Sequence, residues 1–181
     1  METPFQHCSS CGAADLISSS EREFTCEICH FRHFITPIPA AVALILDSSG
    51  RILITRRAHE PGLGMLGLPG GVIEGGETAE EACSRETMEE VGLHIPAKDF
   101  RYFRSLPNQY PFQGFVWPTL DLFYLAKIKT FEGIVAQGSE VSESLHLPLS
   151  EVPYSDFAFK SNAEAVRLLK DWLSQGATTL I

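Results

Sequence analysis

The alternation of apolar and polar stretches along the chain predicts an order of strands and helices that begins with a hairpin. Ala40 to Leu46 is an almost unbroken apolar run, as expected of a strand covered on both faces. The polar turn at residues 47–50 leads to a second predicted strand, residues 51–56. Further along, residues 112–128 hold two aromatic, β-rich stretches that predict one or two more strands.

Capping signals and helical periodicity predict two helices. Thr78 with Glu81 forms a capping box, and Gly92 predicts the end of that helix. Its small side chains recur at every fourth position, at Ala79, Cys83, Thr87 and Val91. Ser161 with Glu164 predicts the start of a last helix. The apolar positions of this helix lie on one face and are Val166, Leu169, Trp172 and Leu173.

Two segments of unusual composition divide the rest of the chain. Residues 61–76 are rich in glycine and proline, which predicts a loop that leads directly into the first helix. Residues 1–36 hold four of the five cysteines, and two prolines at 37–39 predict a stiff connector after them. We therefore expect a small domain over residues 1–36 and a larger domain of mixed strands and helices, of the α/β (α+β) class, over residues 37–181.

The charge and hydropathy of the chain restrict its expected partners. It has 23 acidic and 14 basic residues, and a net charge of -9 disfavours nucleic-acid binding because Lys and Arg make most phosphate contacts. No apolar run approaches the roughly 20 residues that cross a bilayer, so no membrane contact is expected. Charges and cysteines stand where an export signal would be apolar, which predicts a soluble, cytoplasmic protein. The sequence is compatible with a homodimer and leaves the oligomeric state open.

Three glutamates on the first predicted helix give the strongest chemical signal. Glu86, Glu89 and Glu90 share one face, because positions i, i+3 and i+4 are neighbours on a helix. Each like-charge pair near 4 Å costs about 1 kcal/mol in water and about 4 kcal/mol at an effective dielectric of about 20. A divalent cation would relieve this repulsion, and hard oxygen ligands favour magnesium or manganese. The alternative interpretation is a solvated acidic face.

The segment around these glutamates resembles the Nudix box, GX5EX7REUXEEXGU, in which U is a bulky aliphatic residue. Eight fixed positions match at their spacings, namely Gly71, Glu77, Arg85, Glu86, Glu89, Glu90, Gly92 and Leu93. The departure is Thr87, where the family usually carries an aliphatic side chain. This departure concerns the packing of the helix and leaves the carboxylates unchanged, so the match favours metal binding over a solvated face.

The resemblance to the Nudix family implies a fold, an activity and a set of site residues. The implied fold is an α/β/α sandwich with a mixed sheet, and the implied activity is hydrolysis of a nucleoside diphosphate linked to another moiety. Mg²⁺ or Mn²⁺ would neutralise and orient the diphosphate while water attacks phosphorus. By this resemblance, the metal ligands are Glu86, Glu89, Glu90 and the Gly70 carbonyl. Arg85 would orient neighbouring carboxylates, and Gly70, Gly71 and Glu77 are the loop residues of the site.

The general base of the implied reaction has more than one candidate. Nudix enzymes often recruit a further glutamate from a distant loop, and Glu140 and Glu143 are the candidates in this chain. We prefer Glu143, with Glu86 as the fallback.

Four cysteines near the N-terminus predict a metal site. Cys8 and Cys11 form one CxxC pair, and Cys26 and Cys29 form a second pair fourteen residues later, a spacing typical of structural zinc sites. We therefore predict a zinc ribbon that holds Zn²⁺ and staples a segment with little core of its own. A redox CxxC is the alternative. Three flanking histidines are either substitute ligands or solvated loop residues: His7, His30 and His33. Cys83 fits a core position.

A zinc ribbon joined to a Nudix domain resembles the NADH pyrophosphatases and their relatives that act on FAD or ADP-ribose. The NADH branch carries SQPWPFPxS after its box, and residues 105–112 of this chain echo that motif only in part. Leu66 also replaces a tryptophan of many relatives. The aromatic stretch from Tyr110 to Trp117 either holds a nucleobase or packs around a proline-rich loop. We expect NADH as the first substrate, followed by FAD and ADP-ribose.

A Nudix-fold sensor that binds a nucleotide without cleaving it is the competing hypothesis. In that case the ribbon would contact protein or nucleic acid. A sensor is expected to lose box carboxylates, and this chain keeps all of them. The sequence therefore favours an enzyme.

Overall fold

The computed structural model describes residues 5–137 and 139–176 and contains two sheets. A small antiparallel sheet comprises β1 (Leu16–Ser20), β2 (Glu23–Cys26) and β3 (Arg32–Phe34). The larger sheet and the two α-helices comprise, in chain order, β4 (Ile38–Leu46), β5 (Arg51–Arg57), β6 (Leu66–Gly67), β7 (Gly70–Val72), α1 (Ala79–Val91), β8 (Arg101–Phe112), β9 (Phe115–Lys127), β10 (Val141–Pro148) and α2 (Lys160–Ser174). Neither of these described helices is long and apolar enough to cross a membrane.

The larger sheet is mixed, as the family resemblance implies. Its strand order is β10-β5-β4-β9-β8, with β6 beside β5 and β7 beside β4. The β4–β9 pair is parallel, whereas the other pairs are antiparallel. Two predictions from the sequence were incomplete, because they omitted β10 and began the aromatic strands near residue 112 instead of at Arg101.

Strand β4 separates two cores, which explains why its apolar run is continuous. Its odd-numbered residues pack in the same cluster as Ala82, Cys83 and Val91 of α1 and are Ala41, Ala43 and Ile45. Its even-numbered residues pack in the cluster that contains Val166 and Leu169 of α2 and are Val42, Leu44 and Leu46. Because successive side chains of a strand point to opposite faces, α1 and α2 cover opposite sides of the sheet. The expected α/β/α sandwich is confirmed.

The local signals predicted for α1 are confirmed. The Thr78 hydroxyl accepts a hydrogen bond from the Glu81 amide at 3.2 Å, and the Glu81 carboxylate accepts one from the Thr78 amide at 2.7 Å. Gly92 ends the helix at φ 65°, a left-handed conformation that favours glycine. Thr87 is fully buried and donates its hydroxyl to the Cys83 carbonyl at 2.6 Å. The departure from the Nudix box therefore leaves no buried polar group unsatisfied.

The capping box predicted for α2 is wrong. The helix begins at Lys160 after Phe159, which makes no side-chain capping bond. The Ser161 hydroxyl instead donates to the buried Asp121 carboxylate at 2.6 Å, and Glu164 pairs with Arg167 at 2.5 Å. A tertiary partner has displaced the local one, because Asp121 is buried and needs donors.

The predicted hairpin of β4 and β5 is paired only beside its turn, at Leu46 and Ile52. Beyond that point the two strands part, and the glycine-rich segment returns between them. Its β6 pairs with β5, and its β7 pairs with β4. The segment at 61–76 is thus a loop with two short strands inside it. The direct pairing of β4 with β5 is thus lost beyond the turn.

Candidate active site

A cleft of about 1120 Å³ lies where β4 and β5 part. Carboxylates line it from α1 and the neighbouring loops, at Glu74, Glu86, Glu89, Glu90 and Glu140. Aromatic side chains line it from the β8–β9 hairpin and the residue before α2, at Tyr110, Phe112, Phe115, Trp117 and Phe159. Strand β4 lies between β7 and β9, so the glycine-rich strand β7 and the β8–β9 hairpin lie on opposite sides of β4.

The box glutamates differ in burial, and this difference argues against a solvated acidic face. Glu90 is 9% exposed, the Glu86 side chain is 12% exposed and the Glu89 side chain is 59% exposed. Burial, followed by the charge of Glu86, raises the pKa of Glu90 to about 8. Burial also raises the pKa of Glu86, although Arg85 opposes the shift. Two buried carboxylates that resist ionisation side by side have the donor chemistry of a divalent-cation site.

Arg85 ties the loop to the helix and holds the carboxylates in place. Its guanidinium donates to Glu77 at 2.7 Å, to Glu86 at 2.7 Å and to Glu89 at 3.2 Å. Glu77 also accepts a hydrogen bond from the Glu74 amide at 2.8 Å. Hydrogen bonds from Arg85 and the Glu74 amide lower the pKa of Glu77, which therefore stays ionised as the partner of Arg85. The resemblance to the Nudix box implies that Arg85 orients carboxylates, and that role requires contacts of this kind.

Two glycines let the backbone pass between β4 and the carboxylates. Gly70 has φ 151°, and a Cβ atom there would overlap the Ala41 carbonyl and lie 2.8 Å from the Val42 Cα. A Cβ atom on Gly71 would lie 2.8 Å from the Glu86 Cδ. The Gly70 amide donates to the Glu90 carboxylate at 3.3 Å. The loop therefore approaches the carboxylates as closely as a backbone without side chains allows. Metal ligation by the Gly70 carbonyl stays a prediction.

The structure places the two base candidates differently. Glu143 lies on β10, is about half exposed and pairs with Arg56 at 2.7 Å. It is absent from the described residues that line the cleft, whereas Glu140 lines it. The charge of Glu140 adds to burial in raising the pKa of Glu86 and Glu90. The geometry thus brings Glu140 to the site and leaves Glu143 outside it, against our preference from the sequence.

Sequence reasoning missed a basic residue between the carboxylates and the aromatic side chains. The Arg57 guanidinium carbon lies 5.0 Å from the centre of the Phe159 ring, and its charge partly offsets the raised pKa of Glu90. Its Nε donates to the Pro61 carbonyl at 2.6 Å. Arg57 ends a strand and Phe159 precedes a helix, and no local pattern connects them. Asp121 was also missed, although an acidic residue inside an apolar strand was a usable signal.

The four N-terminal cysteines converge on one point. Their sulfur atoms all lie within 4.8 Å of one another, and the shortest contacts, 3.6 Å each, join Cys8 to Cys29 and Cys11 to Cys26. A tetrahedral site with Zn–S bonds of about 2.3 Å has sulfur–sulfur edges of about 3.8 Å, so the spacing fits a metal. The closest contacts run between the two CxxC pairs, whereas a redox CxxC would join sulfurs within a pair.

The surroundings of the thiols also fit a shared cation. Burial opposes ionisation of Cys8, but hydrogen bonds from His33 and from the Ser10 and Cys11 amides lower its pKa to about 6. Although the Ala13 amide acts in the opposite sense, the neighbouring thiols and burial raise the pKa of Cys11 to about 12. Four thiolates at this spacing would repel one another, and a shared cation would relieve that repulsion. His7 and His30 are exposed, as expected of loop residues, whereas His33 is buried on β3 and is not a solvated loop residue.

Comparisons with known proteins agree with this geometry. The chain matches the NUDIX domain family over residues 36–171. It is 29% identical over 143 residues to an ADP-ribose pyrophosphatase of Methanocaldococcus jannaschii, covering 79% of this chain and 77% of that protein. It is 29% identical over 160 residues to the NAD-capped RNA hydrolase NudC of Mannheimia succiniciproducens, covering 86% of this chain. The chain spans only 56% of the length of that relative.

A solved structure shows the same fold. A NUDIX hydrolase from Nitrosomonas europaea superposes with a TM-score of 0.72 at 21% identity, over 98% of this chain and 97% of that one. The family match covers well over half of the chain and includes the carboxylate helix, the glycine loop and the cleft. The chain therefore belongs to the Nudix hydrolase family.

Proposed function

We propose that the chain is a metal-dependent pyrophosphohydrolase that cleaves the diphosphate of an ADP-containing dinucleotide, NADH first. The products would be AMP and a second monophosphate, and FAD and ADP-ribose are the alternative substrates. The observation that carries the proposal is that one cleft holds buried carboxylates and a group of aromatic side chains, with Arg57 between them. The names of two relatives, an ADP-ribose pyrophosphatase and an NAD-capped RNA hydrolase, support an adenine-containing substrate.

The carboxylates of α1 would hold the catalytic metal. Glu86, Glu89 and Glu90 would supply the hard oxygen ligands for Mg²⁺ or Mn²⁺, which would provide charge neutralisation of the diphosphate and a water of lowered pKa. Arg85 keeps Glu86 and Glu89 oriented, so that little reorganisation is needed when the substrate binds.

The remaining polar groups of the cleft would position water and the diphosphate. We assign the general base to Glu140, which takes one proton from the attacking water as the new P–O bond forms and the bridging P–O bond breaks. Arg57 would offset the negative charge on the phosphate that leaves. Glu143 stays the second candidate for the base.

The N-terminal segment would be a zinc ribbon over residues 1–36, followed by the Nudix domain over residues 37–181. Its described core is small and comprises Cys8, Phe24, Cys26, His33 and Ile35. So little buried surface stabilises a sheet of three short strands only weakly, and Zn²⁺ bound by the four cysteines would supply the missing folding free energy.

Replacement of Glu90 tests the metal site. Glu90→Gln keeps the volume of a buried side chain and removes a carboxylate ligand, so we expect turnover to fall by roughly a hundredfold or more with an intact fold. We also expect Mn²⁺ to raise the melting temperature of the parent and to leave that of the variant unchanged. Glu132→Gln, on an exposed loop, is the matched control and should keep both properties. Activity of Glu90→Gln within about threefold of the parent would contradict the assignment.

A pair of substitutions separates the two base candidates. Glu140→Gln should slow turnover by roughly a hundredfold with little change in KM, because a positioned base acts mainly on the chemical step. Glu143→Gln should leave turnover unchanged, because Glu143 pairs with Arg56 outside the cleft. Slow turnover of Glu143→Gln alone would return the role to that residue, and normal turnover of both variants would move it to Glu86.

Elemental analysis tests the ribbon. We expect about one zinc per chain, and Cys26→Ser should reduce this content and increase hydrogen exchange at β1–β3 before exchange rises in the larger sheet. Cys83→Ser is the matched control, because Cys83 lies in the α1 core and should leave the zinc content unchanged. A metal-free protein with a protected N-terminal sheet would contradict the zinc assignment.

A substrate panel tests the specificity. We expect kcat/KM to be highest for NADH, followed by FAD and ADP-ribose, with nucleoside triphosphates well below, all measured under one metal condition. A triphosphate at the head of the ranking would contradict the substrate class and leave the pyrophosphohydrolase chemistry standing. NAD-capped RNA belongs in the same panel. A value for it above that of NADH would overturn our expectation that nucleic acid is not a partner.

A further inference from the structure

One face of the β8–β9 hairpin forms a wall of the cleft whose chemistry changes along its length. The register pairs Tyr110 with Trp117 near the tip and Asn108 with Thr119 further in. Because alternate residues of a strand share a face, these four side chains and Asp121 lie on the same side. All five line the cleft. The wall is therefore aromatic near the tip and polar further in.

The polar part of this wall is joined to the first turn of α2. The buried Asp121 carboxylate accepts hydrogen bonds from the Thr119 hydroxyl at 2.9 Å and from the Ser161 hydroxyl at 2.6 Å. The Asn108 side chain also bonds to it. Donors from β8, β9 and α2 thus meet on one carboxylate, and this network fixes the start of α2 against the hairpin.

Asn162 follows Ser161 directly and is held in place by the same network. It lines the cleft, yet it is only 5% exposed. Within residues 5–137 and 139–176, the Asn162 carboxamide makes no hydrogen bond. The side-chain polar atoms in these residues that are fully buried without a partner belong to His33 and His146, and those of Asn162 are not among them. The polar atoms of Asn162 therefore keep their contact with solvent, on the side of the cleft. A nearly buried amide without a protein partner is a ready binding group for a ligand.

We propose that Asn162 recognises the adenine of the substrate by a paired hydrogen bond to its N6/N7 edge, a proposal that rests on the proposed function. A carboxamide presents one acceptor beside one donor, and adenine presents the complementary amino donor and ring-nitrogen acceptor along that edge. Guanine and hypoxanthine carry two acceptors there, so Asn162 satisfies only one of them. The contact selects adenine over the other purines.

The surroundings of Asn162 suit a planar base at a suitable distance from the carboxylates. The rings of Tyr110 and Phe159 lie 5.6 Å apart at an interplanar angle of 30° in the cleft that Asn162 also lines, so aromatic surface for a purine is present there. Asp121 pairs through Ala40 with Val72 of β7, so the polar wall lies about two strand spacings, roughly 10 Å, from the glycine loop. The ribose and a phosphate of the adenosine half fill this interval.

The test compares each adenine substrate with its hypoxanthine analogue. We expect the parent to favour NADH over reduced nicotinamide hypoxanthine dinucleotide by about tenfold or more in kcat/KM, as for one paired base contact. Asn162→Ala should lose this preference, mainly through a higher KM for NADH, while turnover of the hypoxanthine analogue stays close to the parent value. Gln109→Ala is the control, because Gln109 is exposed and lies on the opposite face of β8.

Several outcomes would overturn the proposal. The first is a folded Asn162→Ala that keeps its preference for adenine, and the second is a parent that has no such preference. The third is a variant that loses the preference with NADH but keeps it with ADP-ribose, which would place the contact on nicotinamide. If Asn162→Ala does not fold, the affinities of the parent for AMP and IMP decide the question, and equal affinities contradict it. If triphosphates lead the substrate panel, the proposed function fails, and the same comparison is made with ATP and ITP.

Discussion

Glu86 and Glu90 lie where the sheet opens, and neither can be there as an ordinary solvated side chain. Burial opposes their ionisation, their charges oppose each other, and Glu140 adds a third negative charge nearby. The glycine loop lies so close that a side chain on Gly71 would displace Glu86. Arg85 compensates part of this charge, but it also binds Glu77 and Glu89. A surface acidic helix does not account for this arrangement, whereas a divalent cation bound with an anionic substrate, as we propose, would relieve the repulsion.

The parting of β4 and β5 places every other component around these carboxylates. It lets β6 and β7 enter the sheet, which brings the glycine loop beside α1. It also leaves room for Arg57 at the end of β5 to reach Phe159. On the far side of β4, the β8–β9 hairpin and the first turn of α2 supply the aromatic and polar wall. The carboxylates of α1 and the wall formed by the hairpin and α2 thus line one cleft.

The parts of the site that were predicted from the sequence are those encoded by local spacing. The Glu86, Glu89 and Glu90 patch, the capping box at Thr78 and the two CxxC pairs each lie within a few residues, so helix and turn geometry alone determines them. The pairing of Ser161 with Asp121 joins residues forty positions apart, and a local capping rule therefore gave the wrong partner. Glu143 and Glu140 differ by three residues in sequence, and only the tertiary fold shows which one lines the cleft.

The most direct test of the account is the position of a bound cation. Crystals grown with Mn²⁺ and a non-hydrolysable ADP-ribose analogue would be measured for anomalous scattering at the manganese edge. We expect a peak about 2 Å from carboxylate oxygens of Glu86, Glu89 and Glu90, with the diphosphate beside it. A fully bound analogue with no peak at these three residues would contradict the central claim that the buried carboxylates hold the metal.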